Sequence, residues 1–149
     1  MSAVKLSTIR NRLKTALEAI AGADLKQSPL PYGAFARTPN SIAHKAFAIG
    51  FTSSTAQDDR QRATVGSLTQ TSLVITMAYR LRPLAQIADV DNTLDLENNI
   101  IIAVCNRADT SLYANTHFKF TNLNRVLSEN GEYLLSDISF EILHYLPLQ

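Results

Sequence analysis

The sequence has a single cysteine, Cys105, so no disulfide can form within the chain. Its 14 lysines and arginines nearly balance 13 aspartates and glutamates, which leaves a formal net charge of +1. This balance provides no strong global field to attract nucleic acid or an acidic membrane. No apolar run reaches the roughly 20 residues of a membrane-spanning helix, and Met1–Arg12 lacks the apolar segment of a signal peptide. We therefore expect a soluble protein made in the cytoplasm.

The motifs that carry common enzyme chemistry are also missing. The chain has no Gly-rich phosphate loop, no HExxH, no paired cysteines and no Gly-x-Ser-x-Gly elbow. Cys105 follows an apolar run, where burial would raise the pKa of its thiol and make it unreactive. The chain has three histidines, His44, His117 and His144. Two histidines that face each other across a sheet could bind a metal or transfer protons, but a lone histidine in a strand is more often structural. We predict no catalytic residues, no metal and no cofactor.

The residues that are present are typical of one globular domain. The chain has 149 residues, of which 46% are hydrophobic and 18% are charged. A chain of this length can bury about two-thirds of its unfolded surface, and its composition argues against disorder. We predict a single domain over residues 1–149.

An amphipathic helix is predicted over Leu6–Ala21. Five apolar residues fall on one helical face: Ile9, Leu13, Ala16, Leu17 and Ile20. Ser7 is the expected N-cap, and Gly22 stands where a left-handed residue often follows a helix. The exposed side of this helix would be basic, since it carries Lys5, Arg10, Arg12 and Lys14. It would be either a solvated face or a patch that binds an acidic neighbour.

Proline, glycine and small polar residues dominate the next segment. Pro29, Pro31, Gly33 and Pro39 are incompatible with a continuous helix or a central strand. The same segment contains apolar residues that a plain linker would lack, namely Leu30, Tyr32 and Phe35. We interpret residues 27–40 as a Pro-rich arm that lies either on its own domain or on another subunit.

Two antiparallel strands joined by a long polar loop are predicted next. Ile42–Thr52 alternates large apolar residues with small ones, and Ser67–Arg82 alternates over a longer stretch before Pro83 ends it. The loop at residues 53–66 is too long for a tight turn. We expect it either to contact a partner or to be a mobile exposed tip. Its candidate contact residues are Gln57, Asp58, Asp59, Arg60, Gln61 and Arg62.

A second helix is predicted from about Leu84 to Arg107, with an apolar side that covers the sheet. Acidic residues crowd its first half, where the helix dipole favours negative charge: Asp89, Asp91, Asp95 and Glu97. No Gly-bearing calcium loop or histidine accompanies them, so they do not indicate a metal site.

Two more strands complete the chain, Thr116–Thr121 and Tyr133–Leu146, with a tight turn at Asn130-Gly131 between them. The order helix-strand-strand-helix-strand-strand predicts an α+β fold: a four-stranded, mainly antiparallel sheet with both helices packed on one face. The other face would suit water or a partner equally, since its residues are small or polar: Ala48, Thr76, Ala78 and Ser139. Leu143–Leu148 is apolar on both faces, so a helix or a neighbour should cover at least one.

This order of parts resembles that of the tail terminator proteins, or the closely related neck and tail-completion proteins, of long-tailed bacteriophages. Four stretches carry the resemblance: Ile9-Arg10-Asn11-Arg12-Leu13, Gln61-Arg62, Met77-Ala78-Tyr79-Arg80-Leu81-Arg82-Pro83, and Ile138–Leu146. The resemblance lies in the organisation of nearly the whole chain.

The resemblance implies a structural virion protein and no enzyme activity. It implies a homo-oligomer, a hexameric ring, that caps the last ring of the tail-tube protein, ends tail polymerisation and joins the tail to neck or connector proteins. Genomic DNA would pass through its channel without specific binding. Assembly would take place in the host bacterial cytoplasm, and the final location would be the tail or neck of the virion.

A closed ring needs contacts between different surfaces of neighbouring subunits. We hypothesise that the acidic second helix of one subunit meets the basic first helix of the next, and that the arm adds to the contact. The candidate inter-subunit residues are Arg10, Arg12, Lys14, Pro29, Tyr32, Phe35, Asp89, Asp91 and Asp95.

Two alternatives remain open at the level of sequence. A head-completion or connector-adaptor protein of the neck would also be a ring on the same axis. A small-ligand-binding regulatory α+β module is a different class, and it would need a concave apolar pocket with convergent polar groups. Phe47, Phe51 and Tyr79 could line such a pocket, although core packing explains them better.

Overall fold

A computed structural model describes residues 3–28, 43–57, 66–106 and 116–147. These residues form two helices and a five-stranded sheet with strand order β1-β2-β3-β5-β4. The elements in chain order are α1 (Leu6–Glu18), β1 (Lys26–Gln27), β2 (Ala46–Ala56), β3 (Ser67–Arg80), α2 (Gln86–Val104), β4 (Thr116–Leu127) and β5 (Tyr133–Leu146).

The predicted α+β class is confirmed, but the predicted four-stranded sheet is one strand short. The additional strand, β1, pairs with β2 in parallel, whereas all the other neighbouring strands in the described sheet are antiparallel. It has only two residues, too few for an alternating pattern to reveal it in the sequence. The sheet is therefore mixed.

The centre of the sheet is the pairing of β3 with β5. Its register runs without a break from Ser67 opposite Leu146 to Arg80 opposite Tyr133. The outer pairings are less regular, with an irregularity between Phe51 and Ser53 in β2 and another between Phe120 and Asn122 in β4.

Both helices pack on the same face of this sheet, as predicted. The buried residues of α1 (Ile9, Leu13, Leu17) and of α2 (Leu96, Ile100, Val104) belong to one apolar cluster. The same cluster contains the sheet residues Phe47, Ile49, Leu73, Ile75, Met77, Ile138, Phe140 and Ile142. The apolar residues that recur every second position in the strands and about every 3.6 positions in the helices therefore form a single core.

The face without helices has a smaller cluster of its own. Ala46, Ala48 and Ala78 are buried there with Tyr133, and Leu135 packs against them. Farther along the same face the residues are polar, and the Thr76 hydroxyl donates to Asp137 Oδ1 over 2.7 Å. The predicted mixture of small and polar residues is present on this face.

Several element ends differ from the prediction. Helix α1 ends at Glu18, three residues before the predicted end. Its N-cap is Lys5, whose side chain makes no capping hydrogen bond, so the prediction of Ser7 as N-cap was wrong. Gly22 has the expected left-handed conformation, with φ at 73°. Helix α2 starts two residues later than predicted because the backbone turns at Pro83 and Leu84.

Strand β2 begins at Ala46 and not at Ile42 because Lys45 adopts a left-handed backbone conformation, with φ at 61°. Residue 42 itself lies outside the described residues. Strand β4 extends to Leu127, six residues past its predicted end. The irregularity after Phe120 shifts the alternation by one residue, so the periodic signal in the sequence breaks there although the strand continues.

No helix within the described ranges is both long and apolar enough to cross a membrane.

A buried polar chain links three strands at one end of the core. His144 on β5 is fully buried, and its Nε2 lies 2.8 Å from the Thr71 hydroxyl on β3. That hydroxyl is also 2.9 Å from the Ser54 hydroxyl on β2. His144 Nδ1 is buried without a hydrogen-bond partner among the described residues. Burial lowers the pKa of His144, and the nearby Tyr145 backbone opposes this only in part, so the imidazole is neutral at pH 7.

His144 should make the fold sensitive to mild acid. A histidine whose folded pKa is lowered gains its proton only on unfolding, so the free energy of unfolding falls as pH drops below about 6.5, by up to about 1.4 kcal/mol per pH unit. Urea unfolding at several pH values should show a steeper fall between about pH 6.5 and 5.5 in the wild type than in His144→Gln. The matched control is His117→Gln, on exposed β4, which should keep the wild-type slope.

Equal slopes in the wild type and in His144→Gln would contradict this prediction. If His144→Gln does not fold, NMR titration of the wild-type His144 ring gives the same information, because an ordinary midpoint near pH 6.5 would also contradict it.

Candidate assembly surface

Helix α2 carries apolar residues beyond those it buries in the core. Ile87, Leu94 and Ile101 repeat every seven residues, so they lie on one side of the helix. Ile87 is 82% exposed and Leu94 is 40% exposed, whereas Ile101 packs partly against the core. Glu97 comes three residues after Leu94 and four before Ile101, so it lies on the same side.

Glu97 shows what this side of α2 faces. Its carboxylate is nearly fully buried, and Arg125 on β4 binds it with two nitrogens: Nε lies 2.9 and 3.0 Å from the two oxygens, and one terminal nitrogen lies 2.6 Å from Oε2. The Ser136 hydroxyl on β5 donates to Oε1 over 2.6 Å. The side of α2 with Leu94 and Ile101 therefore faces β4.

The irregularity in β4 makes this ion pair possible. Phe120 lies opposite Phe140 on the helix-covered face, and after the extra residue Leu123 lies opposite Ile138 and Arg125 opposite Ser136 on that same face. Thr121 is the extra residue at this irregularity. Its hydroxyl donates to the Ser139 carbonyl. Without the inserted residue, Arg125 would point to the helix-free face.

Strand β4 is the last strand of the described sheet on its side, and much of it is exposed. Over Lys119–Leu127 every residue except Leu123 is exposed, including Phe120 at 38% and both Val126 and Leu127 at 57%. Phe120 and Leu127 share the helix-covered face with Arg125. An edge strand of this length also presents backbone groups to which another chain can bind.

These residues form one surface, which we call the apolar strip. It runs along α2 and the facing side of β4, with the Glu97–Arg125 pair between its two rows. Its members are Ile87, Leu94, Ile101, Phe120 and Leu127.

The predicted inter-subunit residues differ in how exposed they are. Arg10, Arg12 and Lys14 on α1 are half-buried, and one terminal nitrogen of Arg12 is buried without a hydrogen-bond partner in the described part of the chain. Asp91 and Asp95 are exposed on α2. Pro29, Tyr32 and Phe35 lie outside the described residues.

Asp89 differs from the other two aspartates. Its side chain is only 2% exposed, and Arg82 binds it: the guanidinium reaches both carboxylate oxygens, and the backbone N–H donates to Oδ2 over 2.8 Å. The hydrogen bonds from the Arg82 side chain, and then from its backbone, lower the pKa of Asp89. Asp89 is therefore engaged within its own subunit and is not part of an exposed acidic patch.

Most of the predicted partner loop is not described. Gln57 is exposed, and its side-chain amide donates to the Thr55 carbonyl over 3.3 Å. Asp58, Asp59, Arg60, Gln61 and Arg62 lie outside the described residues.

The structure brings together no catalytic or metal-binding group among the residues considered in the sequence. His117 and His144 lie on opposite faces of the sheet, since they are opposite Leu143 and Thr116 respectively. Burial raises the pKa of the Cys105 thiol, against a smaller effect of the Phe120 backbone. No group of three histidine, cysteine or acidic side chains within the described ranges could hold a metal ion.

The apolar strip was not predicted from the sequence, although the sequence shows the part of it that lies on α2. The seven-residue repeat of Ile87, Leu94 and Ile101 is visible in the printed chain, but it resembles ordinary core residues of a covering helix. The part on β4 is not visible in the sequence, because the irregularity in β4 determines on which face of the sheet Arg125 and Leu127 lie.

The chain matches none of the protein-family models and none of the curated proteins with which it was compared.

Proposed function

We propose that the chain is the subunit of a structural ring of a long-tailed phage, which caps the tail tube, ends tail polymerisation and joins the tail to the head. The single observation that carries the assembly part of this proposal is the apolar strip beside an exposed sheet edge. The phage role rests on the resemblance of the chain's organisation to tail terminator proteins.

The apolar strip is suited to contact with another protein. Ile87, Leu94 and Leu127 leave much of their apolar surface in water, and contiguous exposed apolar residues typically mark protein–protein contacts. The Glu97–Arg125 pair would add a polar contact, because the side chain of Arg125 is 44% exposed and can still donate to a partner. Arginine and aromatic residues, here Arg125 and Phe120, are enriched at such interfaces.

The two edges of the described sheet differ in length. One edge is the twelve-residue strand β4, and the other carries the two-residue strand β1 beside β2. In a ring each contact joins unlike surfaces of neighbouring subunits, and such contacts close into a ring when the rotation between subunits permits.

The implied partners follow from the phage role. The ring is a hexamer whose faces contact the tail-tube protein and the neck or connector protein, with genomic DNA passing through the channel without specific binding. It works in the tail or neck of the virion. A connector-adaptor ring would use the same strip and differ only in the proteins above and below it.

The ligand-binding alternative has less support. Phe47 is fully buried in the core and cannot line a pocket, and Phe51 packs partly against the same core. A pocket bounded by Phe47, Phe51 and Tyr79 is therefore absent from the described part of the structure.

Assembly can be tested with two neighbouring residues of β4. Leu127 and Val126 are equally exposed but lie on opposite faces of the strand. Native mass spectrometry and negative-stain imaging at two concentrations should show six-subunit rings for the wild type. Leu127→Lys should weaken ring formation at least about 100-fold, because a charge would be buried at each contact. Val126→Lys is the matched control and should still form rings.

Two results would contradict the proposal at different levels. Rings that form equally well with Leu127→Lys would show that the apolar strip is not the contact. A wild-type chain that stays monomeric at both concentrations, and also when mixed with tail-tube protein, would contradict the ring function itself.

A further inference from the structure

A cleft of about 550 Å³ opens where β3 ends and α2 begins. It is lined by His44, Tyr79, Arg80, Arg82 and Asp89. The residues come from four places: the segment before β2, the end of β3, the connection from β3 to α2, and the first turn of α2. Several of them have donor groups without a partner in the described residues.

The backbone of Arg80 fixes the tautomer of His44. The Arg80 N–H donates to His44 Nδ1 over 3.0 Å, so Nδ1 is the acceptor and a neutral ring has its hydrogen on Nε2. The ring also packs edge-on against Tyr79, with centroids 4.6 Å apart. His44 Nε2–H is thus a fixed donor and not a base.

The charges around this imidazole are mostly positive. The pKa of His44 is lowered first by burial and then by Lys45, with smaller effects of the same sign from Arg80 and Arg82. Asp89 is the one carboxylate that acts in the opposite direction. Since both oxygens of Asp89 are bound by Arg82, the positive charges exceed the negative ones here.

Two further donors complete the set. One terminal nitrogen of Arg82 makes no hydrogen bond within the described residues, and the side chain is 66% exposed. The Tyr79 hydroxyl has no partner there either, and it is not among the fully buried polar atoms. A neutral N–H, a guanidinium and a hydroxyl line one cleft, where an oxyanion could accept from all three.

The backbone before the cleft adds an independent sign of a built site. Lys45 has a left-handed φ of 61°, which is uncommon for a residue other than glycine. Its N–H donates to the Ala78 carbonyl over 2.8 Å, which fixes the segment that carries His44. Strained backbone of this kind is often kept where a side chain must be held in place.

We propose that this cleft binds a phosphate group, either as inorganic phosphate or on a small molecule. His44 Nε2, the free Arg82 nitrogen and the Tyr79 hydroxyl donate to its oxygens, and Lys45 and Arg80 add long-range attraction. Phosphate suits the site better than a carboxylate, because it offers more acceptor oxygens and more negative charge to an excess of cations.

The test uses the full chain with inorganic phosphate as the probe at constant ionic strength, with chloride as the replacement. The His44 ring signals in NMR should shift and saturate in the millimolar range or below. Lys45→Gln should weaken binding at least about fivefold, because it removes one nearby charge. Lys119→Gln is the matched control, since it makes the same change on β4, and it should leave the affinity unchanged.

A second readout separates a phosphate site from a loss of structure. Bound phosphate favours the imidazolium form, so it should raise the pKa of His44. The groups that face His44 are Tyr79, Lys45, Arg80, Arg82 and Asp89.

Tyr79→Phe should weaken binding about three- to tenfold by loss of one hydrogen bond, whereas Tyr145→Phe on β5 should have no effect.

A phosphate monoester tested in parallel distinguishes the two sources: equal affinity indicates the phosphate group alone, and tighter binding indicates an esterified ligand. Shifts that do not saturate, that chloride reproduces, or that keep the wild-type affinity in Lys45→Gln would mean an adventitious ion only and would overturn the proposal.

Discussion

Replacing Arg125 with methionine is expected to lower the free energy of unfolding by about 3 kcal/mol, because it leaves the Glu97 carboxylate buried without its cation. The Glu97 side chain is 2% exposed, and Arg125 supplies three of the contacts to its oxygens. Only the Ser136 hydroxyl would remain. The expected loss lies at the lower end for buried pairs, because the side chain of Arg125 is 44% exposed and water can partly replace it.

A double variant distinguishes the cost of an unpaired charge from the loss of a favourable pair. Arg125→Met with Glu97→Met removes both charges, and it should be more stable than Arg125→Met alone, although Ser136 loses its acceptor. Buried pairs replaced by apolar residues are often close to neutral in stability. Urea unfolding followed by circular dichroism measures all the variants.

Lys119→Met is the control for this prediction, because it removes another cation from β4 that forms no ion pair in the described residues. It should change stability by less than about 0.5 kcal/mol. If Arg125→Met costs no more than Lys119→Met, the Glu97–Arg125 pair does not contribute as described. A double variant that is less stable than the single one would show that Glu97 stabilises the fold without Arg125, and it would contradict the cost assigned to the unpaired charge.

Replacing Gly66 with alanine is expected to destabilise the fold by more than about 3 kcal/mol, from backbone strain and a steric clash together. Gly66 has φ at 89°, a conformation that residues with a Cβ rarely adopt. An added Cβ would lie 2.3 Å from the Leu146 carbonyl oxygen and 3.1 Å from Ala3 Cβ. The nearest atom belongs to the backbone of β5 and cannot rotate away, so the end of β5 would have to move.

Gly131→Ala is the matched control for this prediction. Gly131 also has a positive φ, at 73°, but no atom outside its neighbours lies within 4 Å of an added Cβ. Its substitution should cost only the backbone term, about 1 kcal/mol. Thermal and urea unfolding of the two variants should differ clearly, and equal losses would contradict the close approach of Gly66 to Leu146.

The helices and the central strands could be predicted from the sequence because their periodicity is continuous. Ser67–Arg80 and Tyr133–Leu146 are fourteen residues long and alternate over most of that length, and α1 has a regular apolar stripe. The prediction failed where one residue breaks the pattern: Lys45 delays β2, and the irregularity after Phe120 hides the second half of β4. A two-residue strand such as β1 has no period to detect.

The sites were harder to predict than the fold, for a different reason. The acidic residues of α2 were visible as a group, but composition does not show that Asp89 and Glu97 point inward to Arg82 and Arg125 while Asp91 and Asp95 stay exposed. Arg82 is close to Asp89 in the chain, whereas Arg125 comes 28 residues after Glu97. Contacts of that range depend on register, which sequence periodicity does not give across a bulge.

The uninterrupted pairing of β3 with β5 also determines how the chain can fold. Apart from β1, the described sheet consists of two hairpins, β2–β3 and β4–β5, each formed by strands that are neighbours in sequence. Arg80 and Tyr133, the closest residues in sequence within the β3–β5 ladder, are separated by the whole of α2 and β4. Ordering that long intervening chain costs entropy before the ladder stabilises anything. We therefore expect the two hairpins to form early and their pairing through β3 and β5 to be the slow step of folding.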